Sequence, residues 1–277
     1  MKQTGCVTSQ VRKLRSATNP KSEMTGIGTE TVDVSLRLLE FLARAPEPIG
    51  VSDLAREFDA SKATIYRHLQ ALARHDFVRQ DAATSRYSVG IKLFILGERL
   101  RERFAVLPVA RDEMTRLRDE TGAAVTVSTL ADEQVVVLEV IQGHSIINFG
   151  TLPGTVLDLH ASAHGKVALA FGPQDLLKRC LSKPLKAWTS QTISTRSALE
   201  RAIAQVKLRG WATAPNQVLQ GINGLAAPIF NHANVFVGAI AMAGTVQTVP
   251  GSPSAEQIKA VTHAATQISR NLGCIKR

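Results

Sequence analysis

Between Ser61 and Arg74 the chain sets Lys62, Thr64, Tyr66, Arg67 and Gln70 among Ile65, Leu69 and Leu72. The three apolar residues repeat at i, i+4, i+7, the spacing of one helix face, so they turn inward and the polar set turns outward. An arginine in that position can read guanine O6 and N7. Lysine, threonine, tyrosine and glutamine can bond phosphates or base edges. Ser61 to His75 contains Lys62, Arg67 and Arg74 and no acidic residue, whereas a merely solvated helix face mixes its signs. Ser61 is a good N-cap for the helix. This pattern predicts a helix that reads double-stranded DNA through Ser61, Lys62, Thr64, Tyr66, Arg67 and Gln70.

The neighbouring elements fit that task. Val51–Phe58 places Leu54, Ala55 and Phe58 on one face of a short helix with Ser52 as its cap, and Asp59-Ala60 form a tight turn into the basic helix. Two β-prone runs follow, Phe77-Val78-Arg79 and Arg86-Tyr87-Ser88-Val89, joined by polar residues 80–85. They predict a hairpin wing with Arg79 and Arg86 as further DNA contacts. Short helix, turn, longer basic helix and basic hairpin form the order of a winged helix-turn-helix. The bland alternative is a small helical core whose basic residues only face water.

A second cluster is His160, Ser162 and His164. Histidines at i, i+4 share a helix face at a spacing that suits zinc or nickel, but no third ligand is evident and no glutamate lies between them. No strand–GxSxG–helix elbow surrounds Ser162, and Gly150–Gly154 is too short for a phosphate loop. No metal, no cofactor and no enzyme are therefore expected, although a metal-dependent hydrolase using His160 and His164 remains an alternative. Trp188 and Trp211 are expected as core or interface aromatics.

The 277 residues suggest two domains, and 44% hydrophobic content supports real cores. A formal charge of +10 favours an anionic partner. The excess is spread evenly, however. Residues 1–107 hold 17 Lys+Arg against 12 Asp+Glu, and residues 108–277 hold 16 against 11. Net charge alone therefore does not locate a DNA site. Cys6, Cys180 and Cys274 lack ligand spacing or an even count, which fits a reducing cytoplasm. No apolar run approaches a membrane span and no secretory leader follows Met1, so a soluble cytoplasmic protein with no membrane partner is expected.

Along the chain, residues 1–29 read as a flexible basic arm, 30–90 as the DNA-binding domain, 91–107 as a linker helix and 108–277 as a second domain. Val34, Leu36, Leu38, Leu39 and Leu42 form the apolar stripe of a first helix over Thr31–Ala45. Ile91–Leu107, with Ile91, Phe94, Leu100 and Phe104 on its apolar face, is expected as one amphipathic helix closed by Pro108. That face is too large for one small domain to cover, which points to a dimer. In the second domain, Ala123–Thr129, Gln134–Val140, Ser145–Phe149, Gly224–Phe230 and Val235–Ala243 are expected strands. Helices are expected at Val109–Glu120, Ala161–Phe171, Pro173–Leu181, Ser197–Arg209 and Ser254–Leu272. Hairpins flanked by helices suggest an α+β fold, a twisted antiparallel sheet covered on one face.

Four blocks carry a family resemblance: Ser61–Leu69, Arg86–Gly90, Leu159–Ala170 and Gly221–Pro228. In that order they resemble the isocitrate-lyase-regulator (IclR) family of bacterial transcription factors, from about Val34 to Leu272. The resemblance implies an N-terminal winged helix-turn-helix, a linker helix and a C-terminal GAF-like effector-binding domain with an antiparallel sheet. It also implies a homodimer or tetramer on a DNA operator and a small organic acid as effector. Positions that line the ligand pocket in the family fall at Ile146, Ala163, His164, Ala214, Ile222, Gly224, Ala241 and Ala243. This chain departs from the small-acid binders there. The block after Gly210 lacks the usual acidic residue, Ala241 and Ala243 replace common serines, Gly224 replaces a larger side chain, and His164 is added. A roomier, more apolar pocket is expected, with an acid bound at the start of the Ala161–Phe171 helix, a charged His164 assisting, and Asn216, Gln217 and Asn223 bonding a distal hydroxyl or carbonyl. The alternatives are a constitutive DNA-binding regulator with a vestigial pocket, and a His164 that only packs or bonds a backbone carbonyl.

Overall fold

The computed structural model describes residues 27–101, 103–144 and 151–275, with side chains from 31 onward. The arm expected at 1–29 lies outside it up to residue 26; residues 27–29 are already helical. The chain divides into two compact units, one ending at Leu100 and one starting at Arg101.

In the first unit, α1 (Ile27–Arg44), α2 (Val51–Glu57) and α3 (Lys62–Arg74) pack with a hairpin of β1 (Val78–Gln80) and β2 (Tyr87–Val89). Leu38 and Leu42 of α1, Leu54 and Ala55 of α2, Ile65 and Leu69 of α3, and Val78 and Tyr87 of the hairpin close one core. Phe41 and Phe58 meet edge to face with centroids 5.7 Å apart. Leu36, expected in the buried stripe, is 55% exposed, because the core takes the i, i+4 pair Leu38 and Leu42. Ser52 is not the cap of α2: Gly50 holds that position with no side-chain bond, and Ser52 lies inside the helix.

The expected linker helix is two helices. α4 (Ile91–Arg101) and α5 (Val106–Thr121) are separated around Phe104 and Ala105, and Pro108 sits in the first turn of α5 instead of ending a helix. Proline is tolerated there because a first-turn N–H has no intrahelical partner to lose. α4 buries none of its residues, and Ile91, Phe94, Ile95, Leu96 and Leu100 stay exposed. α5 ends where expected, with Gly122 in the left-handed region at φ 67°.

The second unit is built on a six-stranded antiparallel sheet. Its strands are β3 (Ala124–Ala131), β4 (Gln134–Ile141), β5 (Val156–Leu157), β6 (Ala212–Thr213), β7 (Ile222–Phe230) and β8 (Phe236–Thr245), in the order β5-β4-β3-β8-β7-β6. The strand expected at 145–149 lies outside the described residues, and the two-residue β5 and β6 carry too short a pattern to be foreseen. Helices cover both faces, not one. α5 and α9 (Ala255–Asn271) pack Ala110, Met114, Leu117, Val261 and Ile268 against Val125, Val127, Leu225, Ile229, Ile240 and Met242. On the opposite face α6 (Ala163–Phe171), α7 (Leu176–Leu181) and α8 (Arg196–Arg209) pack against Val135, Ala226, Ala239 and Ala241. The alternation along β7 and β8 explains the difference. In the middle of the two strands Leu225, Ile229, Ile240 and Met242 take one parity and Gly224, Ala226, Ala239 and Ala241 the other, so both faces are apolar but one is less bulky there. The small-residue face lets α6 come close: a Cβ built on Gly224 would lie 3.6 Å from the Ala163 Cβ.

Gly165, in the first turn of α6, is held against the chain that precedes the helix. A Cβ there would stand 2.3 Å from the Asp158 carbonyl oxygen and 2.4 Å from that of Leu159. Only glycine admits this approach.

Candidate DNA interface and effector face

On α3 the structure separates the expected DNA contacts into two groups. Ser61 Oγ accepts the Thr64 N–H at 3.1 Å and lies 2.9 Å from Thr64 Oγ1, so both hydroxyls serve the helix start. Lys62, Tyr66 and Arg67 are exposed, and among the described residues they have no hydrogen bond or ion pair. Gln70 is half-buried with Nε2 3.5 Å from the hydroxyl of buried Tyr87, so it turns partly toward the hairpin. The wing arginines are exposed but tethered: Arg79 Nε donates to Ser88 Oγ at 3.2 Å and Arg86 Nη1 to the Pro48 carbonyl at 3.1 Å. Asp81 shapes the wing turn by accepting from the N–H groups of Ala83 and Thr84 and from Thr84 Oγ1, and these bonds hold its carboxyl below the usual range.

His68 escaped the sequence reading. It lies on the inner face of α3, one turn from Ile65, with Nδ1 2.8 Å from Ser35 Oγ of α1. Burial, aided by Arg67, lowers its pKa and keeps the ring neutral. The i, i+3 spacing from Ile65 was the available signal.

In the second unit seven of the eight expected effector positions fall on one side of the sheet. Ile222 and Gly224 share a parity on β7, and Ala241 and Ala243 share one on β8, where Gly224 pairs with Ala243. Ala214 follows β6 just past the Thr213–Leu225 pair, which sets it opposite Gly224. Ala163 opens α6 against this face. Ile146 lies outside the described residues.

The seventh, His164, is present but differs in chemistry from the expectation. Its Nε2 is 2.8 Å from Thr126 Oγ1 and its Nδ1 is 2.7 Å from Ser128 Oγ, both on β3. A neutral ring gives one nitrogen a proton to donate and leaves the other to accept, and the two hydroxyls can match either tautomer. Burial lowers the pKa to about 4. The imidazole is therefore not a cation near neutral pH and offers no charge-assisted bond. Nor does it pack idly or bond a carbonyl; it is fixed by two side-chain hydroxyls.

The helix containing it starts at Ala163, two residues later than expected, because Ser162 is the cap. Ser162 Oγ accepts the Gly165 N–H at 2.9 Å and donates to the Asp158 carbonyl at 2.6 Å. His160 thus precedes the helix and does not share a face with His164. Its Nδ1 meets Asp158 Oδ1 at 2.6 Å and its Nε2 donates to the Lys186 carbonyl at 3.0 Å. Burial depresses the His160 pKa, but the Asp158 carboxylate outweighs it and the net shift is upward. For Asp158, burial raises the pKa and the bonds from His160, Trp188 and Ala161 overcome it. All four histidine nitrogens have protein partners, and the two rings are not arranged as a ligand pair.

The amides expected to reach a distal effector group are engaged in the fold. Asn223 Oδ1 accepts the Ala214 N–H at 2.9 Å, while its Nδ2 donates to the carbonyls of Val249 and Pro250. Asn216 Oδ1 accepts the Gly221 N–H and its Nδ2 donates to Gln191. Gln217 Oε1 accepts from Lys166 Nζ at 2.7 Å. Thr126, Ser128 and Lys166 were missed because their roles arise across the sheet and not along the chain. Trp188 is 44% exposed with Nε1 donating to Asp158, whereas Trp211 packs on the core beneath the Arg209 guanidinium.

A family model described as bacterial transcriptional regulator IclR C-terminal matches residues 100–270, and one described as IclR helix-turn-helix domain matches residues 31–82. The glycerol operon regulatory protein of Streptomyces griseus is 28% identical over 88% of this chain and 96% of its own. The IclR crystal structure from Thermotoga maritima superposes with a TM-score of 0.73 at 27% identity, covering 88% of this chain and 99% of that one. An IclR homologue from Microbacterium hydrocarbonoxydans, complexed with 4-hydroxybenzoate, shares the fold at TM-score 0.74 and 22% identity, covering 87% and 98%. Among the described residues no helix is long and apolar enough to cross a membrane.

The neutral His164 has a consequence in acid. The unfolded chain protonates this ring near pH 6.5, the folded protein only near 4, so stability present above 6.5 is lost as pH falls through that window. The shift corresponds to up to about 3 kcal/mol. Thermal melts from pH 7 to 4 should show a steeper loss for wild type than for His164→Gln; parallel curves would contradict the neutral, buried ring.

Proposed function

The chain belongs to the IclR family of bacterial transcriptional regulators, not of enzymes, and on that premise we propose that it switches a catabolic operon, as repressor or activator, in response to a small organic acid with an apolar or aromatic body. It is a DNA-binding regulator with a C-terminal effector domain. It acts in the cytoplasm, where operators are.

The observation that carries the DNA assignment is the contrast on α3. Lys62, Tyr66 and Arg67 stand exposed, and unpaired among the described residues, in the N-terminal half of the helix, the end such motifs insert into the major groove. Arg67 is assigned to base reading. Arg79 and Arg86, held by Ser88 and Pro48, present fixed positive charge to phosphates; Ser61, Thr64 and Gln70 assist through the helix start and inner edge. Arg67→Ala should weaken binding to the upstream DNA of its own gene by about 1–3 kcal/mol. Arg79→Ala should weaken binding to any duplex and flatten its salt dependence. In a salt-controlled gel shift, an Arg67→Ala protein that kept wild-type operator affinity would refute this docking.

The effector assignment rests on the small-residue face. Ala163, Ala214, Ile222, Gly224, Ala241 and Ala243 lie together where α6 begins, and the first-turn N–H groups of Ala163 and His164 are of the kind a helix leaves without partners. His164 contributes as a neutral, oriented ring. The fold neighbour holding 4-hydroxybenzoate is an acid binder of this type. Calorimetric titration should rank benzoate and 3-methylbutanoate above glyoxylate. A preference for glyoxylate would refute the apolar pocket, and no binding by any of the three would favour a constitutive regulator.

Residues 30–90 are assigned to DNA binding, 91–107 to the linker and self-association, and 108–277 to sensing. Self-association as a dimer or tetramer is assigned to α4, whose exposed Ile91 and Phe94 line a groove of about 450 Å³ with Val78, Arg79 and Gly90, and whose Leu100 is exposed as well. Sedimentation should give a dimer or larger, and Phe94→Asp a smaller species; a monomeric wild type at micromolar concentration would overturn it.

A further inference from the structure

Among the described residues no carboxylate pairs with Lys166, a buried lysine. It lies on α6 one turn beyond Ala163, 3% exposed, and its Nζ donates to the Thr213 carbonyl at 3.0 Å and to Gln217 Oε1 at 2.7 Å. Both acceptors are neutral. A neutral amine has two N–H groups, and these two bonds use both; an ammonium has a third N–H that finds no acceptor among the described residues. The surroundings do not supply the missing anion. Facing Lys166 are Arg209 of α8, which opposes its charge, and His160 ahead of α6, whose charge Asp158 already balances. β6, β7 and β8 contain no ionisable residue. An unpaired ammonium this deep is costly, so the site is prepared either to lose the proton or to receive an anion.

We infer that Lys166 is the charge partner of the effector's carboxylate, taking up a proton from solvent when the acid binds beside Ala163 and Ala214. The location supports this. The carbonyl that Lys166 holds belongs to Thr213, the residue before Ala214, and Ala163 shares its side of α6. The step balances simply. The free amine lone pair of Nζ accepts one proton from water or buffer, and the new N–H is donated to the carboxylate oxygen, with the bonds to Thr213 and Gln217 kept. Burial and Arg209 bring the Lys166 pKa down to about 7, so in the free protein the amine is largely unprotonated by pH 8. A Glu at 217 would have supplied an internal counter-ion; Gln217 leaves that place to the ligand.

This inference rests on the effector reading above, and the test separates the two. Benzoate is titrated at pH 8 in phosphate and in Tris, whose ionisation heats differ, into wild type, Lys166→Met and Lys166→Gln. In parallel, the Lys166 ¹³Cε resonance is followed in lysine-labelled protein, assigned by its loss in Lys166→Met. The expected result is uptake of nearly one proton per benzoate, an affinity that falls about tenfold from pH 8 to 9, and loss of both in the variants. The Lys166 resonance should also titrate at higher pH when benzoate is present. Benzoate binding that is equal in wild type and variants without proton uptake overturns the inference and leaves the effector reading standing. Calorimetry that detects no acid binding defeats the effector reading. A Lys166 resonance indifferent to benzoate overturns the inference by itself. Two variants guard against misfolding, because Gln keeps the polar contact and Met keeps the apolar volume.

Discussion

The burial of α6 is the constraint on which the second unit depends. Every residue from Ala163 to Ala170 is inside, yet the segment includes an imidazole and a lysine amine. A polar group without water must be given partners by the surrounding protein, at a cost of about 1–3 kcal/mol for each one left unmade. The sheet answers for His164 with two hydroxyls on β3, and the end of β6 with the residues after it answers for Lys166 with a carbonyl and an amide. Those demands fix where β3 and the 213–217 segment must stand. The helix can only be so deep because its neighbours on β7 and β8 are glycine and alanine. Packing and polar satisfaction therefore specify the same geometry from opposite directions.

The first unit shows the complementary case, in which charge is kept out of the core. The helix that carries Lys62, Arg67 and Arg74 is anchored by Ile65 and Leu69 and by the His68–Ser35 bond. That bond is formed by a ring held neutral, so the anchor adds no charge beneath the basic surface. Tethering the wing arginines to Ser88 and Pro48 reduces the rotamer freedom they would otherwise lose on meeting DNA. Flexible Lys62 and Arg67 meet bases or phosphates with their freedom still to lose, so a correct geometric match counts for more at these residues.

Much of this was legible along the chain because it is encoded by local period. The apolar spacing of Ile65, Leu69 and Leu72 located α3, Ser61 marked its start, and Gly122, Gly210 and Ser254 marked helix ends near their true places. What escaped depends on tertiary context. Pro108 reads as a stop in isolation, but it lies in a first turn where its missing N–H costs nothing. Both faces of β7 and β8 are apolar, and alternation in size, not polarity, distinguishes them. Asn223 reads as available for a ligand because amides near a pocket usually are, yet the segments around Ala214 and Val249 take both of its N–H groups and bond its oxygen. The partners of His164 come from 36 and 38 residues away, beyond any local pattern.

The Thr126–His164–Ser128 arrangement also constrains how such a protein can change. Loss of His164 strands both buried hydroxyls, and loss of Thr126 or Ser128 strands one ring nitrogen, so single steps are penalised while concerted ones need not be. The ring sits at the start of α6, and the hydroxyl of Thr126 shares a strand register with Ala241. Evolutionary drift at position 164 is thereby tied to positions 126 and 128, and through Thr126 to the sheet face itself. Lineages that alter what this domain accommodates should move these three residues as a set, with intermediates that are less stable than either end point.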